Sequence, residues 1–242
     1  MRLKKRIVFK LKLELNRIKS RKRTKYFCIG RNKTGTTSIA KAFQELGFVV
    51  GNQRTAELLM DDYFKGDFDC ITKYCKTAEV IKGQPVFPEV FQDVPFSMAN
   101  TYKIMDKAYP NSKFILTIRN NAEEWYNSLT KFHAKCFGNG GAVPTWDDLK
   151  KADYVYEGWM YNQVTKQYNL TESEEPYIKE KLMAHYERHN HDVMDYFKDR
   201  PQDLLIINLA DKKSYARFCD FVGVDSKNDT FPWENKTDNI VL

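Results

Sequence analysis

The chain has 242 residues, of which 42% are apolar and 29% charged, with 11 Gly, 8 Pro and a net charge of +7. That suffices for one well-buried domain and excludes collagen-like repeats, low-complexity disorder and a disulfide scaffold. No window of 18 consecutive apolar residues offers a membrane-spanning helix, and the basic start is not followed by the apolar stretch of a secretory signal.

Residues 1–25 hold 12 Lys/Arg against one acid, Glu14, whereas the other 217 hold 27 basic and 31 acidic residues. The positive charge therefore belongs to an arm, residues 1–23, and the body, 24–242, is mildly acidic. In the arm Leu3, Ile7, Leu11, Leu15 and Ile18 recur at spacings of four and three, which places them along one side of a basic helix. Such a helix suits an anionic membrane surface, or a packing face on its own domain or on a partner chain. Contact with nucleic acid would need a recognition fold, and none is visible.

Residues 25–29 (KYFCI) read as a short buried strand, 30–35 as a turn, and 36–46 as a helix with Ile39, Ala42, Phe43 and Leu46 on one face, ended by Gly47. Residues 48–50 are expected to form a second strand, 54–65 a helix, 68–71 another strand and 86–92 a further one. Residues 97–109 read as a helix stopped by Pro110, and 113–119 (KFILTIR) as the clearest buried strand. A helix is expected over 122–133, a loop over 137–145, a long helix opening within 171–176 and running to about 198, a strand over 204–208 and a helix over 214–222. Strands alternating with helices, apolar on both faces, indicate an α/β domain with a central parallel sheet covered by helices on both faces. Cys28, Cys70, Cys75, Cys136 and Cys219 are odd in number and lack CxxC spacing, which reads as reduced thiols in the cytoplasm and makes the sequons at Asn169, Asn228 and Asn235 chance matches.

The first strand and first helix are joined by Gly30-Arg31-Asn32-Lys33-Thr34-Gly35-Thr36-Thr37-Ser38. Glycines let the backbone curl, the helix start offers free N–H groups, and a lysine and several hydroxyls surround them: an anion site suited to phosphate. Gly30 and Gly35 have the spacing of the G-x-x-x-x-G-K-[ST] loop, but Thr36 occupies its lysine position. An atypical nucleotide kinase or NTPase remains an alternative at this point, as does a non-catalytic nucleotide-binding protein docked at a membrane.

The K-[ST]-G-T-T-[SW] pattern formed by Lys33 to Ser38 resembles the 5′-phosphosulfate loop of sulfotransferases, P-loop-like enzymes that use 3′-phosphoadenosine 5′-phosphosulfate (PAPS). Gln92-Asp93-Val94-Pro95, Tyr109-Pro110 and the run from Lys113 to Asn120 resemble that family's central region, 122–130 its following helix, 204–224 its C-terminal strand and helix, and Phe231-Pro232-Trp233-Glu234-Asn235 its F-P-x-x-N tail. The resemblance implies PAPS as co-substrate, bound by Arg31, Asn32, Lys33, Thr34, Gly35, Thr36, Thr37 and Ser38 and by Arg119 and Ser128 at the 3′-phosphate. The family's serine lies eight residues after its arginine, a place held here by Asn127; Ser128 is nine after and is the expected contact, with Asn127 as the alternative. The resemblance also implies Lys33 at the leaving oxygen, no metal, and an acceptor hydroxyl on a glycan, lipid or small molecule.

Asp93 sits in the turn where relatives carry their base, with Glu89 and His133 in reserve; His133 is expected on a helix surface. Trp146, Tyr154, Tyr156, Trp159, Tyr161 and Tyr168 suit stacking on an acceptor, or a lid whose rings pack on the domain. His185, His189 and His191 fall on one expected helix with no partner completing a metal site.

Overall fold

The computed structural model describes residues 2–20, 23–226 and 228–232, with side chains from residue 7 onward. After α1 (Arg2–Ser20) come β1 (Tyr26–Cys28), α2 (Thr36–Glu45) and three short helices, α3 (Gln53–Glu57), α4 (Met60–Lys65) and α5 (Phe68–Tyr74). A hairpin of β2 (Glu79–Ile81) and β3 (Gln84–Val86) leads to β4 (Val90–Gln92), α6 (Thr101–Ala108), β5 (Lys113–Thr117) and α7 (Ala122–Phe137). Then follow α8 (Trp146–Lys151), α9 (Trp159–Tyr168), α10 (Lys179–Phe197), β6 (Leu204–Ile207) and α11 (Ser214–Val222).

The central sheet has the order β4-β1-β5-β6, and every pairing in it is parallel. Alternation along each strand divides the core. Tyr26, Cys28, Ile115, Leu205 and Ile207 point to one face, where they meet Ile39 and Phe43 of α2 and Phe218 and Val222 of α11. Phe27, Ile29, Phe114 and Leu116 point to the other, against Tyr102 and Met105 of α6 and Val193 and Phe197 of α10. Both faces are thus buried, which is why these strands read as continuous apolar runs. A third cluster, built on Trp125 and Leu129 of α7, Leu149 of α8, Trp159 of α9 and Tyr186 of α10, lies among the helices.

Several elements differ from expectation. Residues 48–50 form no strand; Val50 makes only an isolated bridge to Val90, since Gly47 and Gly51 bound a segment too short for a ladder. Residues 68–71, expected as a strand, belong to α5, where Asp67 caps the N–H of Asp69 and the buried Ile71 and Tyr74 follow a helical spacing. The helix expected over 54–65 is split into α3 and α4. The stretch 86–92 divides into the end of β3 and the whole of β4, with Pro88 between. α6 and α10 begin at Thr101 and Lys179, later than expected. α8 and α9 were not expected from the sequence, although Thr145 and Asp148 form the capping box that opens α8.

The arm is helical over Arg2–Ser20. Its polar side meets the hairpin: Lys12 Nζ donates to Gln84 Oε1 at 3.1 Å and Asn16 Nδ2 to the carbonyl of Pro85 at 2.7 Å. The apolar stripe does not pack on the domain. Ile7, Leu11, Leu15 and Ile18 are each more than half exposed; the side chain of Leu3 lies outside the described residues. No helix among the described residues is long and apolar enough to cross a membrane. All five cysteines are free.

Candidate active site

The carboxyl ends of all four parallel strands open into one cavity of about 710 Å³, the place where open α/β sheets hold ligands. The β1–α2 loop forms its floor. A Cβ on Gly30 would lie 2.1 Å from Thr117 Oγ1 and 2.6 Å from the carbonyl oxygen of Thr117, so only glycine lets the loop approach β5 this closely. Gly35 has φ +105° at the N-cap of α2, and no side chain caps that helix. Glycine at the N-cap brings no side chain over the start of α2, whose first residues line the cavity, and the positive end of the helix dipole is directed there. This is the observation by which the loop fits an anionic group.

The loop is braced from beneath. Trp125 Nε1 donates to the Asn32 carbonyl at 2.9 Å, and the Trp125 ring stacks on Tyr186 with centroids 4.7 Å apart. Arg119 Nε donates to the Lys33 carbonyl at 2.8 Å, while its backbone N–H donates to Tyr186 Oη at 2.9 Å. Thr34 Oγ1 donates to the Arg31 carbonyl and lies 2.5 Å from Thr117 Oγ1, so its hydroxyl is turned inward. Arg31 departs from the expected ligand contact in the same way. It is 1% exposed, donates to the Ser97 carbonyl at 2.7 Å and is not among the cavity's lining residues. Its side chain ties the loop to the segment after β4.

Asn32, Lys33, Thr34, Gly35, Thr36, Thr37 and Ser38 all line the cavity. Lys33 has a left-handed backbone, φ 64°, and its Nζ lies 3.7 Å from the centroid of Phe132 on α7. Burial, aided by the charge of Arg119, lowers its pKa to about 8. Asp93 follows β4 with φ 58°, before a cis Val94–Pro95 bond. One oxygen accepts the Val94 N–H at 2.9 Å and the other the Thr36 hydroxyl at 3.1 Å. Desolvation raises its pKa; those two hydrogen bonds and the charges of Arg31 and Lys33 oppose the rise. Base candidate and anion loop are thereby joined through one threonine.

Arg119, just beyond β5, lines the cavity together with Asn127 and Ser128, so both alternatives for the position after the arginine lie on the cavity side of α7. Arg119 also pairs with Glu124 at 3.3 Å. His133 is not on a surface: it is 5% exposed, lines the cavity and shares a 2.7 Å hydrogen bond with Tyr177 Oη. Burial and the charge of Lys33 lower its pKa to about 3, which leaves it a neutral hydrogen-bonding group. Glu89 pairs with Arg23 at 2.8 Å and is not among the lining residues. On α10 His185 is half-buried and His189 buried, His189 Nε2 bonding the Ile29 carbonyl at 2.8 Å, while His191 stands beside Asp192.

The aromatic segment divides. Tyr154, Trp159 and Tyr168 line the cavity, whereas Trp146, Tyr156 and Tyr161 bond the Glu174 carbonyl, Asp61 and Glu172. Sequence reasoning missed Gln53, Glu57, Gln92, Gln163 and Asn208, all lining residues. Of these, Gln92 and Asn208 close apolar strands, a position that could have drawn attention to them. Phe231 and Pro232 also reach the cavity; Trp233, Glu234 and Asn235, the rest of that motif, lie outside the described residues.

A helix start with glycine at its N-cap, a partly desolvated lysine and an arginine on one cavity are features of an enzyme that handles a multiply charged anion. No curated protein matches the chain. Residues 25–240, however, match the family model described as a sulfotransferase domain; this chain belongs to the sulfotransferase family and is an enzyme of sulfuryl transfer.

Proposed function

We propose that the donor is PAPS and that the acceptor is a hydroxyl compound. The observation that carries this reading is the convergence of the α2 start, Lys33 and Arg119 on one cavity. The amides at the start of α2, with the hydroxyls of Thr36, Thr37 and Ser38, hold the 5′-phosphosulfate. Arg119 and Ser128, with Asn127 beside it, take the 3′-phosphate, where a guanidinium grips phosphate oxygens two at a time. Asp93 receives the acceptor's proton as the new S–O bond forms. Lys33 stabilises the phosphate oxygen from which sulfur departs, and the nucleotide leaves as 3′,5′-bisphosphate. Mass spectrometry of the purified protein with PAPS and an extract of acceptors tests the reading: a product heavier by one sulfuryl group supports it, and none from any acceptor overturns it. Tight calorimetric binding of the bisphosphate without magnesium separates it from the kinase reading, because phosphoryl transfer leans on metal to neutralise charge.

Arg119→Ala should weaken the 3′,5′-bisphosphate nucleotide more than the analogue lacking the 3′-phosphate, since only the former carries the group the guanidinium grips. Calorimetry with both nucleotides decides it. A parallel loss would mean that Arg119 acts only by tethering the loop through the Lys33 carbonyl.

The arm, we propose, meets an anionic membrane surface from a reducing, cytoplasmic compartment. Its exposed stripe and its excess of 12 basic residues over one acid in residues 1–25 are complementary to such a surface. The full chain should co-sediment with phosphatidylserine-containing vesicles at low salt and be released at high salt. Equal co-sedimentation after deletion of residues 1–23 would end the idea.

A further inference from the structure

We infer that Arg31 is a positioning residue for the transfer: from beneath the anion loop its guanidinium fixes the turn that carries Asp93 and supplies a positive charge facing that carboxyl group. This rests on the reading of Asp93 as the proton acceptor. By its backbone Arg31 belongs to the anion loop, its carbonyl accepting both the N–H and the hydroxyl of Thr34. Its side chain runs the other way, into the protein, where the residue is 1% exposed and does not line the cavity. Nη1 donates to the Ser97 carbonyl at 2.7 Å and lies 3.6 Å from Met98 Sδ. Ser97 in turn donates its N–H to the Asp93 carbonyl at 2.8 Å, which closes the turn from Asp93 to Ser97. The guanidinium therefore holds the far end of the turn whose first residue is the proposed base.

That turn needs holding. Asp93 has φ 58°, a left-handed conformation that persists where its surroundings over-determine it. Two links tie the turn to the phosphate-binding side of the cavity. Thr36 reaches the Asp93 carboxyl group at 3.1 Å, and Arg31 reaches the Ser97 backbone. Loop and base are thus held in one register, one link acting on the side chain and the other on the main chain.

Charge adds a second role. A guanidinium keeps its proton, and burying it is unfavourable unless an opposite charge compensates. The ionisable groups that face Arg31 are Tyr63 of α4, Tyr168 of α9, His185 and His189 of α10, and Asp93 after β4. Burial raises the pKa of both tyrosines and, aided by the charge of Arg31, lowers the histidines to about 2 and about 3. These four are uncharged near neutral pH, which leaves Asp93 as the anion of the set. Around Asp93 itself stand Lys33, Glu57 of α3, Tyr154 and Tyr168; burial raises the pKa of Glu57 and of both tyrosines. The two cations differ in one respect. Lys33 lines the cavity, so a bound phosphosulfate shares its charge, whereas the charge of Arg31 stays with Asp93 when the donor is in place.

The test labels the aspartate carboxyl carbons of the full chain with carbon-13; the resonance missing from Asp93→Asn is that of Asp93. Its titration midpoint should lie ~1 pH unit or more higher in Arg31→Met and close to the parent's in Arg31→Lys, which keeps the charge. Should Arg31→Met fail to fold, Arg31→Gln takes its place with the same expectation. Kinetics follow with the acceptor that gains a sulfuryl group in the mass-spectrometric screen. The rising limb of kcat/KM should move with the resonance, and the falling limb set by Lys33 should stay. Plateau kcat should fall ~10- to 100-fold in both the Met and the Lys variant, because neither reproduces the hold on Ser97, while calorimetric affinity for the bisphosphate nucleotide stays within a few-fold. An Asp93 resonance that does not move in Arg31→Met marks Arg31 as structural and overturns the inference. A loss of bisphosphate affinity in step with kcat also overturns it, by making Arg31 a ligand contact. If instead Asp93→Asn keeps the rising limb, the reading of Asp93 as base fails, and this inference falls with it.

Discussion

Lys33→Ala is expected to lower kcat by ~10²–10³-fold while leaving affinity for the bisphosphate nucleotide within a few-fold of the parent. The reason is differential. Negative charge grows on the bridging phosphate oxygen only as the bond to sulfur breaks, so a cation placed there contributes more in the transition state than in the bound state. The proposed role needs a lysine held in place, and the Lys33 carbonyl is anchored by Arg119 while its Nζ sits over the Phe132 ring. The same burial gives the pH dependence its sign. With a pKa lowered to about 8, Lys33 loses its proton, and its function, as pH rises through that value. The falling limb should appear in kcat/KM, which reports the free enzyme. Lys33→Arg, charged throughout, should move that limb to higher pH. Small, equal losses in kcat and nucleotide affinity for Lys33→Ala would refute the role.

The strands at 25–29 and 113–119 were legible because a strand buried on both faces needs an unbroken apolar run, and the loop between β1 and α2 was legible because its glycines and hydroxyls are adjacent in sequence. The region from 48 to 86 was not. Segments of three to seven residues such as α5 fit either period, and only their packing partners decide between them. His133 shows a second kind of loss. On α7 alone it reads as a surface residue; Tyr177, 44 positions away, covers it. Arg31 shows the opposite case, since a charged residue in an anion loop suggests a ligand contact, whereas its guanidinium lies inside the protein and donates to the Ser97 carbonyl. Gln163 looks like an ordinary polar position until α9 is packed against α8 and α10 and lines the cavity. What adjacency encodes was readable, and what the third core cluster brings together was not.

Asp93→Asn is expected to lower turnover by ~10²–10⁴-fold with nucleotide affinity nearly unchanged. An acceptor hydroxyl is a poor nucleophile until its proton has somewhere to go, and Asp93 is the carboxylate joined directly to the anion loop, through Thr36. Desolvation raises its pKa toward the range where a base is effective, although two hydrogen bonds and two nearby cations restrain the rise. Only the carboxylate form can accept the proton. kcat/KM should therefore increase with pH as Asp93 ionises, and together with the loss of the Lys33 proton near pH 8 this gives a bell. Asp93→Asn should remove the rising limb and leave the falling one, a pattern that a purely structural role would not produce. A variant that kept most of its turnover and both limbs would return Asp93 to holding the turn, where its carboxylate accepts the Val94 N–H. Glu57, a buried carboxylate that also lines the cavity, would then be the residue to test, because His133, with its pKa lowered to about 3, is too weak a base to replace it.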